Sequence, residues 1–434
     1  MTPFPRSLPD YRWPDHYTSE GMAIIARCLS ATFYLAYAFG SIVRLLTEWL
    51  YRFEAPPTLV IRTDGIGDAL LFEPALESLA RIASPSEVHL WAPKATCDLF
   101  TDCPTITRRL SIPRGCKEGN LQYFKSISWR LRLGFELGRW KFSKVIYPVE
   151  SPEPLGNWLF LSARAEERWI NSGDNANQFE WQQARTHDSA TRIFEQRPGH
   201  AHELLRNEYL SDQWAQEHRL RRPRVHLNAE AVSQADELFN AWRRVANRTG
   251  ATELVGLVVG GTSNVNRYPA THWAAALKRL WVEQRVMAVL LGGPMDRPAM
   301  DELSELLHEV PHVRLMQPVN VLTISAIIRR LDGMLSVDTG LAHISLALRV
   351  PTVVLVGGGH PGRFFPWPGN HPQVALNASM PCEGCGNRCH LAEALCVTRI
   401  PSDDIVQAYQ KLRVRNVAIE RFVQPQRQRK TAVA

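Results

Sequence analysis

The stretch "RTDGIGDALL" (Arg62–Leu71) follows the apolar run "TLVI" (58–61) and leads into "FEPALESLARI" (72–82). A short apolar run reads as a buried strand, and residues 68–82 carry apolar side chains at helical spacing. What lies between is a strand-to-helix turn. A turn that only redirected the chain would need neither two glycines, Gly65 and Gly67, nor two carboxylates, Asp64 and Asp68. Asp68 either caps the helix or does chemistry there.

Outward from this turn the same alternation continues. "EVHLWA" (87–92), "ITRRLSI" (106–112) and "KVIYPVE" (144–150) read as strands, with the helical "WRLRLGFELGRW" (129–140) between the last two. Residues 171–225 are polar and rich in His, Gln and Arg, and read as loops and helices on the substrate side of a first domain. "NAEAVSQADELFNAWRRVANRTG" (228–250) is a helix ending at glycine, placed as a hinge. A second alternation follows: strands at 253–261, 285–293, 312–316, 333–339 and 351–359, the last of them "PTVVLVGGG", with helices at 270–284, 298–310, 321–331 and 340–350. This pattern predicts an α/β chain of two Rossmann-like, doubly wound domains facing a central cleft. The expected division is an N-terminal extension with an apolar helix (1–55), a first domain (56–227), a linker helix (228–250), a second domain (251–410) and a tail (411–434).

Composition narrows the class. At 434 residues, with 45% hydrophobic and 21% charged, the chain can bury two substantial cores. The formal charge of +7 is mostly a tail: residues 411–434 hold seven Lys/Arg against Glu420 alone, a net of +6. No nucleic-acid-binding module is recognisable, so nucleic acid is not an expected partner, and a basic tail suits anionic lipid as well. The uncharged "CLSATFYLAYAFGSIV" (28–43) is 16 residues long, short of the roughly 20 that span a bilayer. It is either a helix lying on or dipping into a membrane, or one packed on the body of the protein.

Three turns of the second half fit a phosphate-handling site. "GGTSNVNRYP" (260–269) offers Gly261, Thr262 and Arg267; "LLGGPMD" (290–296) ends at Asp296, placed to accept from ribose hydroxyls; "SVDTGLAHISLA" (336–347) puts Asp338, Thr339 and Gly340 at a helix start, with His343 just inside. Free N–H groups and the positive end of the helix dipole bind anions without a metal. Singly, Asp338 and Thr339 are also ordinary capping residues, and His343 an ordinary core histidine. Four cysteines, Cys382, Cys385, Cys389 and Cys396, crowd the loop 382–396. One C-x-x-C pair with looser spacing leaves two readings, a structural zinc or a set of reduced thiols. The segment "HPGRFFPWPG" (360–369), with Arg363 and several aromatic rings, reads as a lid over the cleft.

With these motifs in order, the chain resembles glycosyltransferase family 9, the ADP-heptose:lipopolysaccharide heptosyltransferases and their relatives. The matching pieces are "LVIRTDGIGDALLFEPALESL" (59–79), "GLVVGGTSNVNRYPATHWAAALKRL" (256–280), "VLLGGPMD" (289–296) and "SVDTGLAHISLALRVPTVVLVGG" (336–358). The resemblance implies the GT-B fold and metal-independent, inverting transfer of a sugar, heptose most often, from an ADP-linked donor to a lipopolysaccharide-core or similar glycolipid acceptor. It assigns Asp68 as general base, with Gly65 and Gly67 letting the backbone turn beneath it, and Thr262, Asp338, Thr339, Gly340 and His343 as donor contacts. Asp296 stands where the family usually has glutamate. Asn266 stands where it commonly has lysine, with Arg267 beside it. No cofactor is required. The expected place is the cytoplasm, at the inner-membrane face, with peripheral membrane contact. Two other readings compete: a non-catalytic nucleotide-sugar binder, for which Asn266 is the motive, and a nucleotide-sugar 2-epimerase on the same fold.

Overall fold

The computed structural model describes residues 33–46, 55–83, 86–112, 127–195, 202–216, 221–260, 267–293, 296–316 and 319–414. Chain order in the first half is a helix at 33–46 (α1), β1 (Thr58–Ile61), α2 (Ile66–Ala83), β2 (Val88–Pro93), α3 (Lys94–Leu99), β3 (Arg108–Ile112), α4 (Ile127–Arg139), β4 (Phe142–Tyr147), α5 (Pro154–Ser162), β5 (Ala165–Asn171), α6 (Glu180–Ser189), β6 (Arg192–Phe194) and α7 (Glu203–Ala215). The second half runs α8 (Ala229–Thr249), β7 (Glu253–Val258), α9 (Ala270–Gln284), β8 (Val286–Leu291), α10 (Arg297–Leu306), β9 (His312–Arg314), α11 (Val321–Arg329), β10 (Gly333–Val337), α12 (Gly340–Ala347), β11 (Thr352–Leu355), β12 (Gln373–Leu376) and α13 (Leu395–Thr398).

The strands form two parallel six-stranded sheets, ordered β3-β2-β1-β4-β5-β6 and β12-β11-β10-β7-β8-β9. Counted within each half, both have the doubly wound order 3-2-1-4-5-6. The order reverses between β1 and β4 in one sheet and between β7 and β10 in the other, and ligands of such sheets bind beyond the strand ends at that reversal. Buried parallel strands need apolar side chains on both faces. The central strands comply, with all residues of β1, β2, β8, β10 and β11 buried.

Three elements escape the sequence pattern. β5 ("AEERWIN") and β6 ("RIF") fall wholly or partly in the polar region, and β12 ("QVAL") lies beyond the strand expected to be last. β6 and β12 are sheet edges and β5 adjoins one. Their half-exposed faces accept polar residues, so no continuous apolar run marks them.

Helix α8 occupies the predicted linker. Asn228 caps its start, its Oδ1 accepting from the Ala231 N–H at 2.8 Å, and Gly250 ends it in the left-handed conformation at φ 73°. The chain entering α8 is tied back to α2, where the buried Glu73 carboxylate accepts from the Arg224 backbone N–H (3.0 Å) and meets His226 Nε2 (3.3 Å).

Helix α1 covers part of the residues expected to be apolar and helical; residues 28–32 lie outside the described chain. Its inner face packs on the first domain through Phe33 and Tyr37, both buried, and Tyr37 Oη accepts from Arg164 Nε at 2.7 Å. Glycines make this contact close. A Cβ on Gly134 would sit 2.6 Å from the Phe33 carbonyl oxygen, and Cβ atoms on Gly40 and Gly138 would overlap the backbones of α4 and α1. The outer face carries Leu35, Ala38, Phe39, Ile42, Leu45 and Leu46, all exposed. Among the described residues no helix is long and apolar enough to cross a membrane. Residues 402–414 are helical, so the first residues of the basic tail finish a helix; Arg413 there pairs with Glu253. Residues 415–434 lie outside the described chain.

Candidate active site

The two sheet reversals bring two helix beginnings together. α2 starts just after β1, and α12 just after β10. A Cβ on Gly67 would lie 2.6 Å from His343 Cδ2, and one on Gly340 would lie 3.1 Å from Ile66 Cβ. Gly67 of the opening motif therefore serves close approach between domains: no larger residue fits between the α2 backbone and the His343 ring.

Asp68 sits in the first turn of α2, inside the helix and not at its cap, and is half-buried. Burial and the neighbouring Glu203 raise its pKa, against the lowering pull of Arg363 and Arg62. Asp338 is pushed up to about 7 by burial and by Asp68 across the cleft. Thr339 occupies the cap position of α12 but makes no side-chain cap hydrogen bond. Its hydroxyl shares a contact with Ser336 Oγ at 3.2 Å instead. Thr339 is thus not the ordinary capping residue its position allows, and its side chain leaves the first N–H groups of α12 to other acceptors.

His343 is buried and held by aromatic rings. Phe365 stacks on it with centroids 4.4 Å apart, and Trp367 Nε1–H donates to His343 Nδ1 at 3.1 Å. Its Nε2 lies 4.0 Å from Asp338 Oδ1. Burial, with His202 nearby, pushes its pKa down to about 3, so the ring is neutral. It is a core histidine by burial and a site residue by placement.

Sequence reasoning did not single out Arg62, Glu203 or His202 among the groups surrounding this centre. Buried Arg62 holds Asp64 through both carboxylate oxygens, donates to the Pro148 carbonyl at 2.7 Å, and lies over the Phe72 ring at 4.6 Å. Asp64, in the loop between β1 and α2, is an ion-pair partner whose pKa is raised to about 7, chiefly by burial. Arg363 links the two domains. Its Nε donates to Glu203 Oε2 at 3.2 Å, and its carbonyl accepts from the Glu203 backbone N–H at 2.8 Å. His202 Nε2 meets the Phe364 carbonyl at 3.1 Å. The segment 360–369 of the second domain is thereby fastened to the start of α7 in the first. Burial works against the Arg363 charge, but Glu203, Asp68 and Glu150 outweigh it and raise its pKa. Glu203 is too far from either motif in sequence to be found by spacing.

Other expected residues lie apart from this centre or out of view. Asp296 precedes α10, and its Oδ2 accepts from the Gly293 N–H at 2.8 Å. A Cβ on Gly260 would be 3.2 Å from its Oδ1, so it faces the end of β7 at the second sheet's reversal. Arg267 is exposed. Gly261, Thr262 and Asn266 lie outside the described residues. Cys382, Cys385, Cys389 and Cys396 are free thiols lining one pocket with Gly357, Gly358 and Gly359. Among the described residues no three His, Cys, Asp or Glu side chains are placed to share a metal ion. Zinc needs its sulfurs to converge within about 2.3 Å of one point, and the loop as it stands does not fit that demand.

Two doubly wound domains meeting at their reversal points define the GT-B class of glycosyltransferase folds. The family model described as glycosyltransferase family 9 (heptosyltransferase) matches residues 195–392, and the resemblance carried by the motifs is borne out. Among solved structures, a family 9 glycosyl transferase from Veillonella parvula is similar at 17% identity and a TM-score of 0.65, covering 83% of this chain and 98% of that one. The E. coli ADP-heptose lps heptosyltransferase II is similar at 17% identity and TM-score 0.60, over 83% and 99%. The E. coli heptosyltransferase WaaC with ADP-2-deoxy-2-fluoro heptose is similar at 16% identity and TM-score 0.54, over 82% and 99%. At these identities the likeness is one of fold. No curated protein matches the chain.

Proposed function

We propose that this protein is an inverting glycosyltransferase that moves a sugar, heptose in the first instance, from an ADP-linked donor to a lipopolysaccharide-core or similar glycolipid acceptor. The observation that carries this reading is the meeting of Asp68 on α2 with Asp338 and His343 at the start of α12, across the cleft and at both sheet reversals.

The chemistry follows from that placement. An acceptor hydroxyl attacks the anomeric carbon, its proton passes to the Asp68 carboxylate, and the bond from that carbon to the diphosphate oxygen breaks, releasing the nucleoside diphosphate. Asp68 is a suitable base because its raised pKa strengthens its hold on a proton. Charge growing on the departing diphosphate meets the N–H groups and positive dipole end of α12. Asp338, held near neutrality, repels that charge less than an ordinary carboxylate does. No step runs through a metal or through the cysteines.

We place the protein at the cytoplasmic membrane face on the apolar outer stripe of α1 together with the basic residues of 411–434. A bound bilayer would cover that stripe without being spanned.

Calorimetric titration with ADP, UDP, GDP and CMP, repeated on Asp338→Ala, tests the donor side. Selective binding of ADP, lost in the variant, is the expected result; selective binding of another nucleotide overturns the ADP assignment. Binding with no transfer to any acceptor would favour the non-catalytic reading that Asn266 motivates. Interconversion of nucleotide sugars without an acceptor would favour the epimerase.

A further inference from the structure

We infer that Trp367 is a positioning residue: its indole N–H fixes His343 as the tautomer protonated at Nε2, so that one neutral donor faces the meeting point of α2 and α12. The inference rests on the proposed transfer reaction for its purpose, but not for its geometry.

An indole N–H can only donate. At 3.1 Å from His343 Nδ1, it requires that nitrogen to present its lone pair, which leaves the ring proton on Nε2. The alternative tautomer, and the imidazolium, would set two N–H groups against each other in a buried site. Trp367 is itself held in place. It is 2% exposed; its backbone N–H donates to Gln373 Oε1 at 3.0 Å, and Gln373 Nε2 donates back to the Trp367 carbonyl at 2.7 Å. Phe365 closes one face of the imidazole. The whole assembly comes from one stretch, 365–373, so the histidine's protonation is set by a single segment.

The far edge of the ring is the working edge. A Cβ on Gly67 would fall 3.1 Å from His343 Nε2, which places that nitrogen at the first turn of α2. Asp338 Oδ1, at 4.0 Å, is beyond hydrogen-bond reach. A diphosphate oxygen entering between the helix ends would meet a donor that carries no net charge and needs no proton from solvent. Such a donor favours the departing diphosphate over the intact donor sugar, because negative charge on the bridging oxygen grows as the bond breaks.

Histidine-labelled ¹⁵N NMR of the whole protein tests this directly, with the His343 signal identified by its loss in His343→Gln. The wild-type ring is expected as neutral and Nε2-protonated across pH 5–8. A ring protonated at Nδ1, or an imidazolium in that range, overturns the inference whatever the protein's activity. Trp367→Phe keeps the aromatic packing and removes the N–H. It should let the second tautomer or the imidazolium appear and lower kcat by about tenfold, while KM for the donor stays within about threefold. An unchanged tautomer and unchanged kcat would overturn the assigned role. A loss confined to KM would make Trp367 a packing residue of the donor pocket. If the wild type transfers no sugar, the NMR result still decides the tautomer, and failure of the proposed function is seen separately.

Discussion

Asp68 is asked to be an ion in a place that disfavours ions. Burial and Glu203 raise its pKa, and Asp68 in turn raises that of Asp338. For an acid whose folded pKa exceeds its unfolded one, the fold binds the extra proton. Stability is therefore greatest below the unfolded pKa and falls as pH rises towards and through the folded one, which for Asp338 means from about 3.8 up to about 7. Asp68→Asn should then lose transfer by about 10³-fold, while its melting temperature at pH 7.5 stays level or rises by the equivalent of about 1 kcal/mol. Unchanged turnover would remove Asp68 from the mechanism. The acid limb of kcat against pH should lie above the ordinary aspartate range, because the base works only when deprotonated. A limb near pH 4 would contradict the raised pKa. What the sequence disclosed at this scale was the motif residue and its turn. It did not disclose Glu203, Arg363 or Arg62 as its electrical surroundings, because those arrive from a distant helix, the segment 360–369 and a strand end.

Helices α2 and α12 carry the site on rigid elements, and their spacing is fixed by residues without side chains. Gly67→Ala would normally favour a helix by about 1 kcal/mol, yet its Cβ would come 2.6 Å from His343 Cδ2. Since backbone carries the new atom and Phe365 backs the ring, one helix must move. We expect at least a tenfold loss of transfer in Gly67→Ala, with far-UV circular dichroism unchanged; wild-type kinetics would show that the contact is loose. Elements of this kind were well marked in the chain. β1, β2, β7, β8, β10 and β11, with the helices that follow most of them, announce themselves by apolar runs and glycine turns. β5, β6 and β12 do not, since strands at or near a sheet edge bury less and tolerate Glu, Arg and Gln. The segment 360–369 stood out by its proline, glycine and aromatic content, but where it fastens did not, since that depends on His202 and Glu203 in the first domain.

At the scale of the molecule, α1 sets one face apart from the cleft between the domains. Its inward side is glycine-tight against α4, and its outward side is apolar throughout. Replacing Leu35, Phe39 and Ile42 together by Glu should abolish co-sedimentation with vesicles containing anionic lipid, while nucleotide binding is retained. Equal sedimentation of this variant and wild type would exclude α1 as the membrane contact. The sequence left open whether this helix lies on lipid or on protein. The structure shows that a protein-packed face and an apolar outer face belong to one helix, which periodicity in a nearly all-apolar segment cannot separate.

The seam between the domains has a consequence for the heat of ligand binding. Asp68 and Asp338 stand on different domains, and Asp68 raises the pKa of Asp338 across the seam between them. An anionic diphosphate bound at this seam adds negative charge beside carboxyls that burial has already made more basic. Nucleotide binding near neutral pH should therefore draw protons from the solution. Titrations in Tris, which gives up a proton at a large enthalpic cost, should show less favourable heats than the same titrations in phosphate. Equal heats in the two buffers would mean that the seam is already shut, with its protons aboard, before any nucleotide arrives.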